Sequence, residues 1–192
     1  SFENVPSFVY ETDVPISLHG KEFKADIAFG GAFYAIVEAK DLGIRVTIDQ
    51  VAALKDWGWE IKKQIEAKMK VEHPLEKELK GIYGVIICED PKKENSNRRN
   101  VTVFAEKQID RSPCGTGTCA QLAQLYHRGK LEQQQDFVSE SIVDSQLTGR
   151  VLSETNVGDF KAIVPELRGS AFITGFHQFV IDPTDPLKDG FL

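Results

Sequence analysis

The chain has 192 residues, of which 41% are hydrophobic, and its formal net charge is -6 at pH 7. The apolar share suffices for the core of a globular domain, and the acidic balance argues against a nucleic-acid partner, which would favour a basic face. A membrane span and a signal peptide are not predicted, because no apolar run approaches about 20 residues and the first residues lack a basic segment. We therefore expect a globular, cytoplasmic protein that binds neither nucleic acid nor membrane.

The first elements predicted along the chain are three strands. Phe8–Thr12 and Phe23–Ala28 are rich in apolar residues and lie on either side of a turn at His19–Gly20. Two glycines at 30–31 interrupt the chain, and Phe33–Val37 then forms a third apolar run. The strands start without a clear domain beginning, as if the chain entered a sheet at its middle.

A long helix is predicted next. Alternation in Ile44–Ile48 predicts a strand that leads into this helix, which runs from about Gln50 to Val71. Its apolar positions recur close to the helical period, namely Val51, Leu54, Ile61, Ile65 and Met69. After it, Ile82–Cys88 predicts a short buried strand, whereas the charged, aperiodic segment Asp90–Asn100 is interpreted as a solvated loop.

A second helix is predicted after the strand Val101–Ala105, beginning near Cys114 and ending near Gly129. Short β-like runs follow, separated by Gly, Pro, Asp and Asn. They are Ser139–Val143, Gly149–Leu152, Phe160–Val164, Ala171–Ile173 and Phe179–Ile181. The pattern as a whole predicts the α+β class, with many short strands and two main helices.

The start of the second helix has the composition of a binding site. A helix N-terminus presents unpaired N–H groups and a partial positive charge, and the glycines Gly115 and Gly117 let a carboxylate approach them closely. A thiol at Cys114 would there have a stabilised thiolate and a lowered pKa. Asp110 lies four residues earlier and could bind an ammonium group. Together these residues predict a site for an amino acid, with the thiol at its α-carbon.

Simpler interpretations of this segment stay open on the residues alone. A glycine-rich turn before a helix can be only a tight connection, and a thiol there can be a buried structural group. A phosphate or dinucleotide site fits poorly, because the segment lacks the lysine of a P-loop and the glycine spacing of a dinucleotide fingerprint. The three cysteines and four histidines show neither disulfide nor metal-ligand spacing, so free thiols and no metal are predicted.

The nine residues Asp110–Thr118 (DRSPCGTGT) resemble the second catalytic-cysteine motif of the proline racemase family. Asp26–Val37 is similar to the strand–Gly-Gly–strand element of that family. Gly175–Pro183 and Asp185–Leu192 are similar to its C-terminal tail. The resemblance therefore covers essentially the whole chain.

The resemblance implies a cofactor-independent racemase or epimerase that inverts the α-carbon of proline or 4-hydroxyproline. In that family two cysteines on opposite faces of the substrate exchange the α-proton, without pyridoxal phosphate or a metal. By position, Cys114 is the second acid/base and Asp110 the amine ligand, while Gly115 and Thr116 contribute backbone to the carboxylate site. Phe104 corresponds to an aromatic side chain against the proline ring; the alternative is an ordinary core residue at the end of a strand. The implied fold is a diaminopimelate-epimerase-like lobe, a curled sheet around a central helix.

One departure from the family concerns the first catalytic cysteine, which belongs to an upstream Met-Cys-Gly-His type motif that this sequence lacks. Cys88 and Cys119 are predicted to be small buried thiols and not replacements for it. The chain is therefore expected to be part of a longer enzyme and inactive by itself. Residues 1–39 would be a remnant of the first lobe, 44–174 the complete second lobe, and 175–192 a tail that returns to the first lobe.

The predicted remnant and tail would expose apolar side chains, including Phe29, Phe33, Phe176 and Phe179. Such a surface predicts association, for example as a homodimer.

Three alternatives are kept. Some family members dehydrate trans-3-hydroxyproline, but they usually carry Thr at the position of Cys114, so the cysteine favours inversion. The chain could also be a non-catalytic amino-acid-binding lobe or an inert fragment. Proline and 4-hydroxyproline are not distinguished by the sequence.

Overall fold

The protein was analysed as a computed structural model that describes residues 1–190, which form ten β-strands and three α-helices. In chain order they are β1 (Phe2–Glu3), β2 (Ser7–Leu18), β3 (Lys21–Phe29), β4 (Phe33–Glu38), α1 (Ala39–Leu42), α2 (Val51–Lys68), β5 (Gly84–Glu89), β6 (Arg98–Phe104), β7 (Gln108–Ile109), α3 (Gly115–His127), β8 (Asp136–Ser141), β9 (Gln146–Val157) and β10 (Phe160–Arg168). No helix within residues 1–190 is long and apolar enough to cross a membrane.

Eight of the strands close into a barrel. Their order is β10-β2-β3-β4-β5-β6-β8-β9, and β9 pairs again with β10, so the ring has no free edge. The two short strands lie outside the ring, with β1 on β10 and β7 on β6. Closure satisfies the backbone groups that an open sheet would leave at its edges.

Helix α3 lies inside this barrel, where it contacts β2, β3, β4, β9 and β10. Its residues from Gly117 to Gln124 are all buried, which requires cover on every side of the helix. The predicted α+β class is confirmed. The closed sheet around α3 corresponds to the predicted curled sheet around a central helix. The helix also begins where the sequence predicts, immediately after Cys114.

Alternation along strand β4 divides its side chains between two apolar clusters. On β4, Tyr34 and Ile36 belong to the cluster that includes Ala120 of α3. Their neighbours along the strand belong to a larger cluster with Leu54 and Ile61 of α2. Helix α2 therefore covers the outside of the barrel wall whose inside holds α3, as the period of two in a strand requires.

Both ends of α3 are fixed to β3 or to the turn after it. A Cβ on Gly30 would lie 2.2 Å from the carbonyl oxygen of Thr116 and 2.5 Å from the nitrogen of Ala120, so the turn after β3 touches the helix backbone and requires glycine. At the other end, the Asp26 carboxylate accepts hydrogen bonds from Gln124 at 2.6 Å and from Arg128 at 2.6 and 2.7 Å. These contacts set the position of Cys114 relative to the sheet.

Three sequence predictions of strands are wrong. Ile44–Ile48 forms a bend and the start of a 3-10 turn, because β4 already pairs with β3 and β5 and offers no free edge. Ala171–Ile173 and Phe179–Ile181 form no strand in the described structure, since residues 169–190 run outside the barrel without a pairing partner. The segment Asp90–Asn100 is a loop only to Asn97, because β6 begins at Arg98.

The expected exposure of Phe29 and Phe33 is also wrong. Both side chains are buried, and each lies beside Phe8 in the larger cluster. The predicted boundary between residues 39 and 44 does not coincide with any break in strand pairing among residues 1–168, because β4 pairs with β5 across it. The predicted division into residues 1–39, 44–174 and 175–192 therefore stays a prediction. The burial of Phe29 and Phe33 gives no support for a separate segment 1–39.

The expected exposure of Phe176 and Phe179 is confirmed, as both side chains lie open to solvent in residues 169–190. We call residues 169–190 the exposed tail. The last two residues of the predicted tail 175–192 lie outside the described residues.

Candidate functional site

Cys114 occupies the N-cap of α3, with φ 66° and ψ 116°. Its carbonyl accepts the first helical hydrogen bond, from the N–H of Thr118 at 2.8 Å, and its own N–H donates to the hydroxyl of Ser112 at 3.2 Å. A positive φ is uncommon for a residue with a side chain and is held here by the surrounding structure. This backbone conformation places the thiol at the N-terminus of the central helix.

The thiol of Cys114 is buried, with 7% of its surface exposed. Burial raises its pKa above the ordinary value of 9.0, and the nearby Asp110 carboxylate acts in the same direction. The Tyr34 hydroxyl and the N–H of Gly117 favour the thiolate but do not outweigh the burial. The lowered pKa expected from the helix N-terminus is therefore wrong for this chain, because loss of solvent exceeds the stabilisation by the helix end.

Tyr34 is the contact of Cys114 that the sequence did not single out. Its hydroxyl lies 3.6 Å from the Cys114 sulfur and 2.6 Å from the hydroxyl of Thr116. The alternation of Phe33–Val37 places Tyr34 and Ile36 on one face, but nothing in that pattern says that this face meets a cysteine 80 residues later. A tyrosine in an otherwise apolar strand was the only signal available.

Asp110 and Phe104 come to the same end of the barrel as the thiol. The N–H of Asp110 donates to the carbonyl of Thr102 at 3.2 Å, and its carboxylate lies close enough to influence the Cys114 thiol. Phe104 ends β6 and stacks on Tyr83 with ring centroids 5.7 Å apart. Tyr83, which the sequence analysis also missed, packs edge-on against Tyr34 at 5.6 Å.

Gly115 and Thr116 are the first two residues of α3, and both are only partly buried. Their N–H groups belong to the first turn of the helix, where no preceding carbonyl is available to accept them. A Cβ on Gly115 would meet only Leu167, at 3.6 Å, so there is room for a ligand atom beside the Cα of this residue. Donors of this kind can hold an anionic group of a ligand. Whether these residues bind substrate stays a prediction.

The other two cysteines are buried structural groups, as predicted. Cys88 donates to the side-chain oxygen of Gln121 at 3.5 Å, and Cys119 accepts a hydrogen bond from Asn4 at 3.0 Å. Burial raises the pKa of each thiol to about 12. Neither thiol therefore titrates at physiological pH.

One cavity, of about 570 Å³, lies at the far end of α3 beside Ala123 and Tyr126. A second, of about 530 Å³, is lined by Tyr83 and Phe104, but Cys114 lines neither. Within residues 1–190, no His, Cys, Asp and Glu side chains form a group that could hold a metal ion. The arrangement offers a single acid–base group beside helix-end N–H donors and one carboxylate.

The family model described as "Proline racemase" matches residues 1–192. A trans-3-hydroxy-L-proline dehydratase from Bacillus thuringiensis subsp. konkukian is 56% identical over 192 residues, which is 100% of this chain and 58% of the relative. A proline racemase from Acetoanaerobium sticklandii is 49% identical over 193 residues and is covered to 58%. The chain thus spans a little over half the length of these relatives.

A solved structure shares the fold. The hydroxyproline epimerase from Agrobacterium vitis, with bound trans-4-hydroxy-L-proline, superposes with a TM-score of 0.86 at 34% sequence identity. The match covers 99% of this chain and 55% of that one. This chain and the solved epimerase therefore share the same fold over nearly the whole of this chain.

Proposed function

Because this chain belongs to the proline racemase family, we propose that it supplies one of two thiol acid–base groups of an enzyme that acts at the α-carbon of proline or hydroxyproline. The observation that carries this proposal is the position of Cys114. A thiol at the N-terminus of the central helix lies beside the N–H groups of the first helical turn and the Asp110 carboxylate. These are the three groups that an amino acid's α-proton, carboxylate and ammonium require.

The chemistry of the site follows from the charge of each group. Removal of the α-proton spreads negative charge onto the substrate carboxylate, which the N–H groups of Gly115 and Thr116 stabilise. Asp110 holds the ring ammonium group by charge and hydrogen bonding. Burial raises the pKa of Cys114 above 9.0, so this residue rests as the neutral thiol and is ready to deliver a proton. Its thiolate, formed after delivery, is then the base for the reverse direction.

Inversion requires a second acid–base group on the opposite face of the α-carbon. Cys88 and Cys119 are buried thiols with raised pKa values and with hydrogen-bond partners of their own, so we assign this role to neither. The relatives are longer than this chain, which spans 58% of their length. We therefore propose that the opposing thiol belongs to a part of the enzyme outside these residues, and that the 192 residues alone do not invert a substrate.

The exposed tail supports the same arrangement. Phe172, Phe176 and Phe179 are exposed although the barrel buries most of its own aromatic side chains. Exposed apolar clusters of this kind mark surfaces that are covered by a partner. We propose that the tail packs against the part of the enzyme that carries the opposing thiol, and that without this part the chain associates with itself.

Dehydration of trans-3-hydroxyproline is the second candidate, and the 56% identical Bacillus relative of that name favours it. The 3-hydroxyl group is attached next to the α-carbon, so the carbanion formed by α-proton removal can expel it as water once the hydroxyl is protonated. Both reactions therefore begin with the same step at Cys114 or at the opposing group. The cysteine at position 114 favours inversion, because a thiol can return a proton to the carbon.

A chimera tests both candidates. The segment of the Bacillus relative that has no counterpart here would precede Ser1, and the product would be incubated in D₂O with L-proline, trans-4-hydroxy-L-proline or trans-3-hydroxy-L-proline. We expect loss of the α-proton NMR signal together with inversion of one of the first two substrates. Loss of water from the third, without inversion of the others, would replace inversion by dehydration.

Two controls accompany this measurement. The Cys114→Ser chimera should exchange the α-proton about 10²–10⁴-fold more slowly, the usual loss when a positioned acid–base group is removed. The 192-residue chain alone should show no inversion. Unchanged exchange in the Cys114→Ser chimera would remove Cys114 from the mechanism.

A further inference from the structure

Three polar side-chain groups form a closed triangle at the N-terminus of α3. The Tyr34 hydroxyl lies 2.6 Å from the Thr116 hydroxyl and 3.6 Å from the Cys114 sulfur. The third side, from the Thr116 hydroxyl to the sulfur, is 3.9 Å. Each side is within hydrogen-bonding distance for its pair of atoms, and in each pair either atom can be the donor.

The hydrogens of this triangle can be arranged in two ways. When Cys114 is a thiolate, the Thr116 O–H donates to the Tyr34 oxygen and the Tyr34 O–H donates to the sulfur. When Cys114 is a thiol, its S–H donates to the Tyr34 oxygen and the Tyr34 O–H donates to Thr116. The change needs only rotation of hydroxyl hydrogens, so the heavy atoms stay in place while the sulfur gains or loses a proton.

Tyr34 is suited to this part because it is held rigidly and keeps its proton. The side chain is 1% exposed and lies on β4, between the paired strands β3 and β5. Burial raises the pKa of its phenol, and the neighbouring Cys114 adds to this effect. The phenol therefore keeps its proton at neutral pH and is available as a donor.

We propose that Tyr34 is a positioning residue for Cys114, in which the Tyr34 and Thr116 hydroxyls reverse their hydrogen bonds to follow the protonation of the sulfur and to stabilise its thiolate form. This inference rests on the proposed acid–base role of Cys114, but the interaction itself does not require turnover. The other titratable groups that face Cys114 are Asp110 on its own loop, Tyr83 before β5 and Cys119 on α3.

The test is the pH dependence of alkylation of Cys114 by iodoacetamide, a neutral reagent, followed by mass spectrometry of the peptide that contains it. The full 192-residue chain is compared with Tyr34→Phe, which keeps the buried ring and removes the hydroxyl. We expect the midpoint of the Cys114 profile to rise by about one pH unit, which is about tenfold less thiolate below the midpoint. Thr116→Val should raise the midpoint by only about a few tenths of a pH unit, because the Thr116 hydroxyl acts on the sulfur mainly through its hydrogen bond with Tyr34.

Tyr126→Phe is the matched control. Tyr126 lies near the C-terminal end of α3, where its hydroxyl donates to Glu154 at 2.6 Å. Removal of this hydroxyl should leave the midpoint of the Cys114 alkylation profile unchanged. Circular dichroism and the thermal midpoint establish that each variant is folded. If Tyr34→Phe does not fold, Thr116→Val decides the question by itself.

An unchanged or lowered midpoint in folded Tyr34→Phe would overturn the proposal, and so would complete resistance of Cys114 to alkylation in the unaltered chain. The failure of the proposed function has a different signature. A raised midpoint in Tyr34→Phe combined with no α-proton exchange in the chimera would retain the Tyr34 interaction and reject the catalytic role of Cys114.

Discussion

The barrel of residues 1–168 and the exposed tail of residues 169–190 contain similar apolar side chains in opposite environments. Phe8 on β2 is 1% exposed and packs against Phe29 and Phe160. Phe176 in the tail is 92% exposed and has no such surroundings. Hydrophobic residues thus do not by themselves determine where a segment packs, because burial needs a complementary surface.

The polar contacts of the barrel and of the exposed tail differ in the same way, because those of Asp26 join distant parts of the chain and those of Asp182 are local. Asp26 of the barrel joins β3 to residues that follow it by about a hundred positions, through Gln124 and Arg128. The Asp182 carboxylate of the tail accepts hydrogen bonds only from Thr184, two residues away. Both carboxylates have a lowered pKa, but only the first is part of the tertiary structure.

The largest difference is expected from truncating one aromatic ring in each region. Phe8→Ala should lower the free energy of unfolding by about 3–5 kcal/mol, because it removes a fully buried ring and leaves a cavity. Phe176→Ala should change it by less than about 0.5 kcal/mol, because the ring is exposed. Urea denaturation followed by circular dichroism measures both values. Equal losses in the two variants would show that the tail packs on the barrel in solution.

A smaller difference is expected for the two carboxylates. Asp26→Asn should lower the free energy of unfolding by about 1.5–3 kcal/mol, the range for hydrogen bonds to a charged group. Asp182→Asn should leave the free energy of unfolding nearly unchanged. Burial opposes ionisation of Asp26, but hydrogen bonds from Arg128 and Gln124 outweigh it and lower the pKa below the ordinary value of 3.8.

The pH dependence of this effect has a definite sign. A carboxylate with a lowered folded pKa stabilises the protein above its unfolded pKa and loses that contribution as the pH falls through the folded value. The stability gap between the unaltered chain and Asp26→Asn should therefore be present at pH 7 and narrow below pH 3.8. Thermal midpoints recorded from pH 7 to pH 2 provide this comparison, and a constant gap would assign the loss to packing instead of charge.

The smallest effect on stability is expected from removing the tail. A chain that ends at Gly169 should have a free energy of unfolding within about 0.5 kcal/mol of that of the full chain, because none of the barrel strands extends beyond Arg168. Its self-association, measured by sedimentation velocity, should decrease. The triple variant Phe172→Ser, Phe176→Ser and Phe179→Ser serves as the control that keeps the chain length. Unchanged association in both would place the self-associating surface on the barrel.

Much of the barrel could be predicted from the sequence, because β2 to β6 and α2 have strong local patterns. The apolar runs Phe23–Ala28 and Phe33–Val37 and the helical spacing of Leu54, Ile61 and Ile65 all correspond to observed elements. The predictions failed where a β-like run had no edge to pair with, as in Ile44–Ile48 and Phe179–Ile181. Local propensity describes a strand, but pairing requires a neighbour that the sequence does not reveal.

The candidate site shows the same division. The sequence by itself determined that Cys114 begins a helix next to Gly115 and Thr116, because capping and glycine placement act within a few residues. Only the tertiary structure decided that Tyr34 reaches the sulfur and that the thiol has a raised pKa. The cause is barrel closure, which surrounds α3 with strands distant in sequence and withdraws the thiol from water.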